Sequence, residues 1–207
     1  MNITTNLADV QLNPGQAAFR VALLVVDVQT GLDDPQYGER CNPDCEINIQ
    51  SLQTVWRAAK QPILYTRHIS LRPGSPLARS SDRTAIKQEV APMEDEPVFE
   101  KSVNSAFKIP ELLQAVRSLN PAWVVVVGLA TDACVTATAR EAKDLGFQTT
   151  VVGDACATFP RSIRERFYPA AVVQDVSLGA LAASGIKICT PGEAINLMAG
   201  CHLTLQA

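Results

Sequence analysis

The sequence predicts an α/β fold in which helices cover both faces of a mostly parallel β-sheet. Short, β-branched apolar segments alternate along the chain with amphipathic segments of helical periodicity. Two of the apolar segments are hydrophobic at nearly every position, which is typical of parallel strands buried on both faces. Because a strand, a helix and a second strand in succession form a right-handed crossover, this order predicts a three-layer α/β/α sandwich.

Each predicted strand is a short apolar segment that lies between turn or capping residues. Ala22–Asp27 and Trp123–Gly128 are the two segments that are apolar on both faces. Pro97–Glu100 is a shorter candidate. The remaining strands are predicted at Pro62–Thr66, Gln148–Gly153 and Ile186–Cys189.

Helices are predicted between these strands from the spacing of their apolar residues. Pro110 suits the first turn of a helix over Ile109–Leu119, and Gly146 suits the left-handed end of a helix over Ala133–Leu145. Within one further helix, Ala171–Val173 is also compatible with a strand, and this alternative stays open. The other helices are predicted at Ile47–Lys60, Ala170–Ala183 and Gly192–Met198.

Length and composition indicate one globular domain over residues 1–207, since 47% of the residues are hydrophobic and 19% are charged. The net charge of −3 comes without a long run of either sign, so neither nucleic acid nor an anionic membrane is an expected partner. The N-terminus lacks the features of a signal peptide, and the longest apolar segments are far shorter than the roughly 20 residues of a membrane helix. We therefore expect a cytoplasmic protein.

The six cysteines are expected to be reduced thiols, because the chain shows no export signal and has enough core to fold without disulfides. Cys41 and Cys45 have the spacing C-x₃-C, but the two histidines, His68 and His202, have no partner at ligand spacing. A structural zinc site is therefore not predicted.

Two long segments rich in proline, glycine and charge indicate where a ligand binds. Gly31–Glu46 follows one predicted strand, and Ser70–Glu96 follows another. Long loops in a compact domain commonly form lids or substrate walls, and open α/β sheets bind ligands at the carboxyl ends of their strands.

Three residues near these strand ends together support nucleophilic catalysis. Cys134 lies at the start of a helix, where the peptide dipoles favour a thiolate and free N–H groups can bind an oxyanion. Asp27 is placed to take the thiol proton, and the Lys101 cation is placed to favour the thiolate. Each residue alone also fits a structural role, as a turn carboxylate, a core thiol or a surface cation. His68, which follows another strand, is a rival base.

The segments around these residues carry a resemblance. They read ALLVVDVQTGL at Ala22–Leu32, EKSVNSAF at Glu100–Phe107 and GLATDACVTATAREAKDLGF at Gly128–Phe147, followed by DACAT at Asp154–Thr158. In this order they resemble the signature segments of the isochorismatase-like cysteine hydrolases. The similarity extends from about Ala22 to Met198, which is nearly the whole chain.

The resemblance implies a Rossmann-like sandwich with six parallel strands, usually assembled as a homo-oligomer. It implies a catalytic triad of Asp27, Lys101 and Cys134. It also implies a cis peptide bond between Leu129 and Ala130, after which the amides of Ala130 and Cys134 form an oxyanion hole.

The family includes branches with different chemistry, and the residues present discriminate between them. Nicotinamidases of this superfamily carry a metal-binding Asp-x-His and a further His after the second strand, whereas this chain has RHISLRPGSPLARSSD there. No metal and no cofactor are therefore expected. Isochorismatases proper cleave a vinyl ether without a thiol nucleophile, so Cys134 favours the metal-free branch, which hydrolyses small amides, carbamoyl or ureido compounds.

Other functions remain open alongside this hypothesis. The fold also suits a catalytically idle binding or scaffold subunit, since fold does not fix function. A vinyl ether hydrolase and a redox protein that uses Cys134 with Cys156 are further alternatives.

Substrate contacts are predicted for Gln29, His68 and Phe107, which adjoin the expected site. Arg67 or Arg72 is a candidate for binding a substrate carboxylate. The expected partners are a small-molecule substrate and, given the C-terminal segment GCHLTLQA and apolar outer helices, further copies of the same chain.

Overall fold

A computed structural model of the chain describes residues 20–198. Its main sheet has six strands in the order β3-β2-β1-β4-β5-β8, and every neighbouring pair is parallel. The predicted fold class is confirmed. The strands of the sheet are β1 (Val21–Val26), β2 (Ile63–His68), β3 (Val98–Lys101), β4 (Trp123–Leu129), β5 (Thr149–Ala157) and β8 (Lys187–Cys189).

Helices cover both faces of the sheet and divide the core into two layers. One layer packs Leu23 and Val25 of β1 against Trp56 and its neighbours, and the other packs Leu24 of β1 against residues that include Leu112. Side chains of β1 therefore alternate between the two layers, as the pleat of a strand requires. The helices are α1 (Cys45–Ala58) and α5 (Pro191–Met198) on the first face, and α2 (Pro110–Leu119), α3 (Thr136–Asp144) and α4 (Ala170–Ala183) on the second.

The structure differs from the sequence prediction in two of the elements below, and it decides one alternative that the sequence left open. Strand β5 extends to Ala157, four residues beyond its predicted end, with a register shift against β4. Ala171–Val173 is helical, which closes the strand alternative. A small antiparallel hairpin, β6 (Arg161–Ile163) and β7 (Arg166–Tyr168), was not predicted, because three-residue strands rich in arginine leave no apolar run to detect.

The strand order creates a crevice between the carboxyl ends of β1 and β4. Strands β2 and β3 lie on one side of β1, and the chain then crosses to the other side of β1 to form β4. This change of direction is the topology that opens a ligand crevice in α/β sheets. Gly128 permits this approach: its φ is +120°, and a Cβ atom there would lie 2.1 Å from the carbonyl oxygen of Val26. Only glycine fits this position.

The two long segments that were predicted as substrate walls are anchored to α1 by buried ion pairs. The Lys87 ammonium donates to Asp33 at 2.5 Å and to Glu46 at 2.8 Å, and Arg40 also donates to Glu46. Burial alone would raise the pKa of Glu46, but the hydrogen bonds and charges of Arg40 and Lys87 lower it to about 2. The segments therefore have a fixed position next to the crevice.

Several predictions concern residues outside the described range. The domain was predicted over 1–207, and its ends, the N-terminal 19 residues and the C-terminal nine with His202, lie outside residues 20–198. The five cysteines inside that range are unbridged. None of the helices between residues 20 and 198 has both the length and the apolar character needed to cross a bilayer.

Candidate active site

The candidate nucleophile lies in a turn between β4 and α3. Strand β4 ends at Leu129, and the peptide bond between Leu129 and Ala130 is cis, as the resemblance implies. A π-helical turn over Thr131–Val135 then leads into α3, and Cys134 lies within this turn. The Cys134 side chain thus reaches the crevice at the carboxyl end of the sheet.

The structure brings together the three residues predicted to form the triad. The Lys101 Nζ lies 2.5 Å from Asp27 Oδ2 and 3.2 Å from Cys134 Sγ. The Lys101 side chain is fully buried, and Asp27 and Cys134 are also buried. An ammonium, a carboxylate and a thiol from three strand ends therefore share one pocket that is largely shielded from water.

Additional contacts, which sequence reasoning missed, position the charged pair. The Thr66 hydroxyl of β2 donates to the second carboxylate oxygen of Asp27 at 2.7 Å, and Lys101 donates to the Val103 carbonyl at 3.1 Å. Asp27 itself has a left-handed φ of 52°, which aspartate tolerates better than most residues. The sequence identifies Thr66 only as a strand residue, because its hydrogen-bond partner Asp27 follows a neighbouring strand.

The Cys134 thiol is protonated at neutral pH in the resting site. Burial away from water, together with the adjacent Asp27 carboxylate, raises the pKa of Cys134 to about 12, and the Lys101 ammonium offsets this only in part. This corrects the expectation that the helix start and the lysine favour a resting thiolate. The thiol therefore has to lose its proton during attack, to a base within reach.

His68 ends β2 and lies at the edge of the same cluster. One of its ring nitrogens, the Asp27 carboxylate and Cys134 Sγ all lie within 4.8 Å of one another, and the His68 Nδ1 is 3.5 Å from Lys101 Nζ. The side chain is half-buried. Burial and, secondarily, the Lys101 charge lower the pKa of His68, so that its imidazole is neutral at neutral pH.

Asp27, His68 and Cys134 form a donor set of the kind that binds zinc. The Lys101 ammonium lies within 3.5 Å of all three side chains. A fixed positive charge at this position opposes a cation, so these residues fit a metal-free site better than a metal centre.

The structure gives two predicted substrate contacts a packing role instead. Phe107 is 3% exposed and its ring stacks on Phe147 at a centroid distance of 5.5 Å. Gln29 is fully buried, and its amide donates to the carbonyls of His68 and Thr84 and accepts from the His68 N–H. Neither position supports a direct contact with substrate.

We expect Gln29→Leu to lower the free energy of unfolding by about 2–5 kcal/mol, because three buried main-chain groups at His68 and Thr84 lose their partner. Thermal unfolding followed by circular dichroism measures this effect, with Gln114→Leu on the exposed face of α2 as control. Equal melting temperatures for the two variants would show that the Gln29 amide contributes nothing.

Two main-chain amides and the Asn104 side chain are candidates for contacts with a bound substrate. In the described part of the chain, no hydrogen bond engages the Ala130 N–H, and Cys134 lies in a first helical turn, where N–H groups lack helical partners. These are the two amides expected to form the oxyanion hole. The Asn104 side chain, which the sequence did not single out, places its Oδ1 4.0 Å from Cys134 Sγ and is otherwise exposed.

The structure does not favour either of the two arginines that were considered for binding a substrate carboxylate. Arg67 is paired with Glu100, and Arg72 is exposed on the loop after β2.

Two other residues near the nucleophile have structural surroundings. The Asp132 carboxylate is bound by Arg161 of the hairpin at 2.7 Å, so that its charge is matched. Cys156, the partner in the redox alternative, is fully buried on β5.

The sequence matches a known protein family over most of its length. The profile of the isochorismatase domain matches residues 21–177. The uncharacterised isochorismatase family protein YrdC of Bacillus subtilis (strain 168) is 36% identical over 176 residues, which cover 84% of this chain and 94% of that protein.

Solved structures agree with the sequence comparison. An isochorismatase-family protein from Chromobacterium violaceum ATCC 12472 superposes with a TM-score of 0.81 at 32% identity, over 88% of this chain and 94% of that one. A cysteine hydrolase from Pseudomonas syringae pv. phaseolicola 1448A superposes with a TM-score of 0.77 at 25% identity, over 87% and 93% of the two chains. The chain therefore belongs to the isochorismatase family of hydrolases.

Proposed function

We propose that this protein is a cysteine hydrolase that cleaves the C–N bond of a small amide, carbamoyl or ureido compound through a thioester on Cys134. The observation that carries the proposal is the buried contact of the Lys101 ammonium with both Asp27 and Cys134. The likeness to a solved cysteine hydrolase supports the same chemistry.

In the first half of the reaction, Asp27 accepts the proton of the Cys134 thiol as the sulfur attacks the carbonyl carbon. The negative charge that develops on the carbonyl oxygen is stabilised by the amides of Ala130 and Cys134. The C–N bond then breaks, Asp27 returns the proton to the leaving nitrogen, and ammonia or an amine departs. Water hydrolyses the remaining thioester.

Lys101 has an electrostatic role in this scheme. Its ammonium donates to both side chains, so it stabilises negative charge on the sulfur and on the carboxylate in turn. Because Thr66 holds the other carboxylate oxygen, Asp27 keeps one orientation throughout.

A panel of small amides, carbamates and ureides tests the proposal, with released ammonia as readout for the wild type and Cys134→Ala. Cys134-dependent release supports a thiol-dependent hydrolase. Vinyl ether hydrolysis that persists in Cys134→Ala would favour the isochorismatase-type alternative. A lack of hydrolysis across the whole panel would favour a binding or scaffold role. Reduction of a disulfide reporter would favour redox chemistry.

The expected assembly into a homo-oligomer stays a prediction. Exposed apolar side chains occur on the hairpin and on α4, where Phe167 is 65% and Val176 is 66% exposed. Light scattering coupled to size-exclusion chromatography measures the mass of the assembly, and a mass near 22.3 kDa would contradict the expectation.

A further inference from the structure

We propose that His68 is a second catalytic base, which activates the water that hydrolyses the thioester. This inference rests on the proposed function and divides its two half-reactions between two bases. Asp27 serves the attack of the thiol, and His68 serves the attack of water.

Asp27 is poorly placed to activate water. It is 1% exposed, and its two carboxylate oxygens are already engaged by the Thr66 hydroxyl and the Lys101 ammonium. Its burial keeps solvent away from the carboxylate. A base for the second half-reaction has to reach both the solvent and the sulfur.

His68 meets both requirements. Its side chain is half-buried, so one part of the ring contacts solvent, while a ring nitrogen lies within 4.8 Å of Cys134 Sγ. A separation of this size suits a proton transfer through one intervening water. Since the acyl carbon of a thioester is bonded directly to that sulfur, a water bound by His68 adjoins the carbon it attacks.

The main chain around His68 is held on two sides, which fixes the point from which its side chain extends. Gln29 binds both the N–H and the carbonyl of His68, and within the sheet His68 pairs in register with Lys101. The same Gln29 amide also binds Thr84 of the second long segment. A fully buried amide thus serves to position a half-buried imidazole.

The charge state of the ring is consistent with this role. Burial lowers the pKa of His68, and the Lys101 ammonium 3.5 Å away acts in the same direction, whereas the Asp27 carboxylate and the Val103 carbonyl oppose them with smaller effects. A neutral imidazole has a free lone pair and accepts a proton from water.

The water oxygen bonds to the acyl carbon while His68 accepts one water proton, and the tetrahedral intermediate then collapses with cleavage of the C–S bond. The electron pair of that bond stays on the sulfur, opposite the Lys101 ammonium. His68 then returns its proton to the Cys134 thiolate, and the acid product leaves.

Pre-steady-state kinetics with 4-nitrophenyl acetate test the inference, because 4-nitrophenolate reports acylation and the later steady rate reports deacylation. We expect His68→Asn to keep the initial burst and to slow deacylation by about 100-fold or more. The acetylated protein should then accumulate, with the added mass on the Cys134 peptide. Arg67→Gln, one position earlier on β2 and paired with Glu100, is the matched control.

The pH profile supplies a second readout that a merely structural role would not change. The wild-type deacylation rate should rise with pH as His68 loses its proton in the acidic range, and it should then level off. His68→Asn should lack this rise. Unchanged deacylation, or an equal fall in acylation and deacylation, would overturn the role of His68. The lack of any Cys134-dependent burst in the wild type would overturn the proposed function itself.

Discussion

Replacement of Cys134 by alanine should lower the hydrolysis of any small amide substrate by about 10⁴-fold or more, as expected when the sole nucleophile of a covalent mechanism is removed. Cys156 cannot take over, since it is fully buried on another strand. The oxyanion-binding amides and the Asp27–Lys101 pair remain, so residual binding should persist.

The fold should tolerate this change, because alanine fills most of the Cys134 site and leaves no charge without a partner. Ammonia release measures the activity, and circular dichroism verifies the folded state. Cys134→Ser is the matched variant: its hydroxyl keeps the shape but is a far weaker nucleophile, so it should be nearly as inactive. A folded Cys134→Ala protein with wild-type turnover would contradict a thiol mechanism.

The second large effect concerns Asp27→Asn, which should abolish turnover and yet make Cys134 more reactive towards iodoacetamide. The variant loses the base, so amide hydrolysis should fall by about 10³-fold or more. It also removes the negative charge that helps to raise the pKa of Cys134, while the Lys101 ammonium remains 3.2 Å from the sulfur. The thiol pKa should therefore fall, and alkylation at pH 7 should accelerate by about tenfold or more.

The dependence on pH follows from the same charges. In the wild type the thiol pKa is raised to about 12, so the thiolate fraction and the alkylation rate rise with pH throughout the neutral and alkaline range. The pH profile of the alkylation rate should shift to lower pH in Asp27→Asn and to higher pH in Lys101→Met. Mapping the modified peptide by mass spectrometry separates Cys134 from the other cysteines, among them the half-exposed Cys41.

The direction of these two shifts is the decisive result. An Asp27→Asn protein that is alkylated more slowly than the wild type would show that the carboxylate does not oppose the thiolate. Lys101→Met leaves a buried carboxylate without its counter-charge, at a cost of about 3–5 kcal/mol, so its folding has to be verified first. Asp27→Asn keeps the shape of the side chain but leaves the buried Lys101 ammonium without its counter-charge, so its folding has to be verified in the same way.

The placement of the three candidate catalytic residues was predictable from sequence for a simple physical reason. Asp27, Lys101 and Cys134 each follow an apolar segment that reads as a strand. In a parallel sheet all strands end at one edge, so residues far apart in sequence meet there. The same reasoning placed His68 at that edge.

Contacts that depend on side-chain direction were not predictable in this way. Gln29 and Phe107 adjoin the site in sequence, yet the first binds main chain and the second stacks in the core. The contact of Thr66 with Asp27 joins two strands and leaves no local pattern.

The acidity of Cys134 was predicted in the wrong direction. Sequence shows the helix start and the lysine, both of which favour a thiolate. It does not show the degree of burial or the closeness of a carboxylate from another strand, and these two effects dominate.

The most direct test of the account is to trap the covalent intermediate. Acid quenching during turnover of the best amide in the panel, followed by peptide mass spectrometry, should reveal the acyl group on Cys134, bound as a thioester that hydroxylamine removes. The His68→Asn protein should carry more of it than the wild type. Turnover that proceeds with Cys134 unmodified at every time point would contradict nucleophilic catalysis by this thiol.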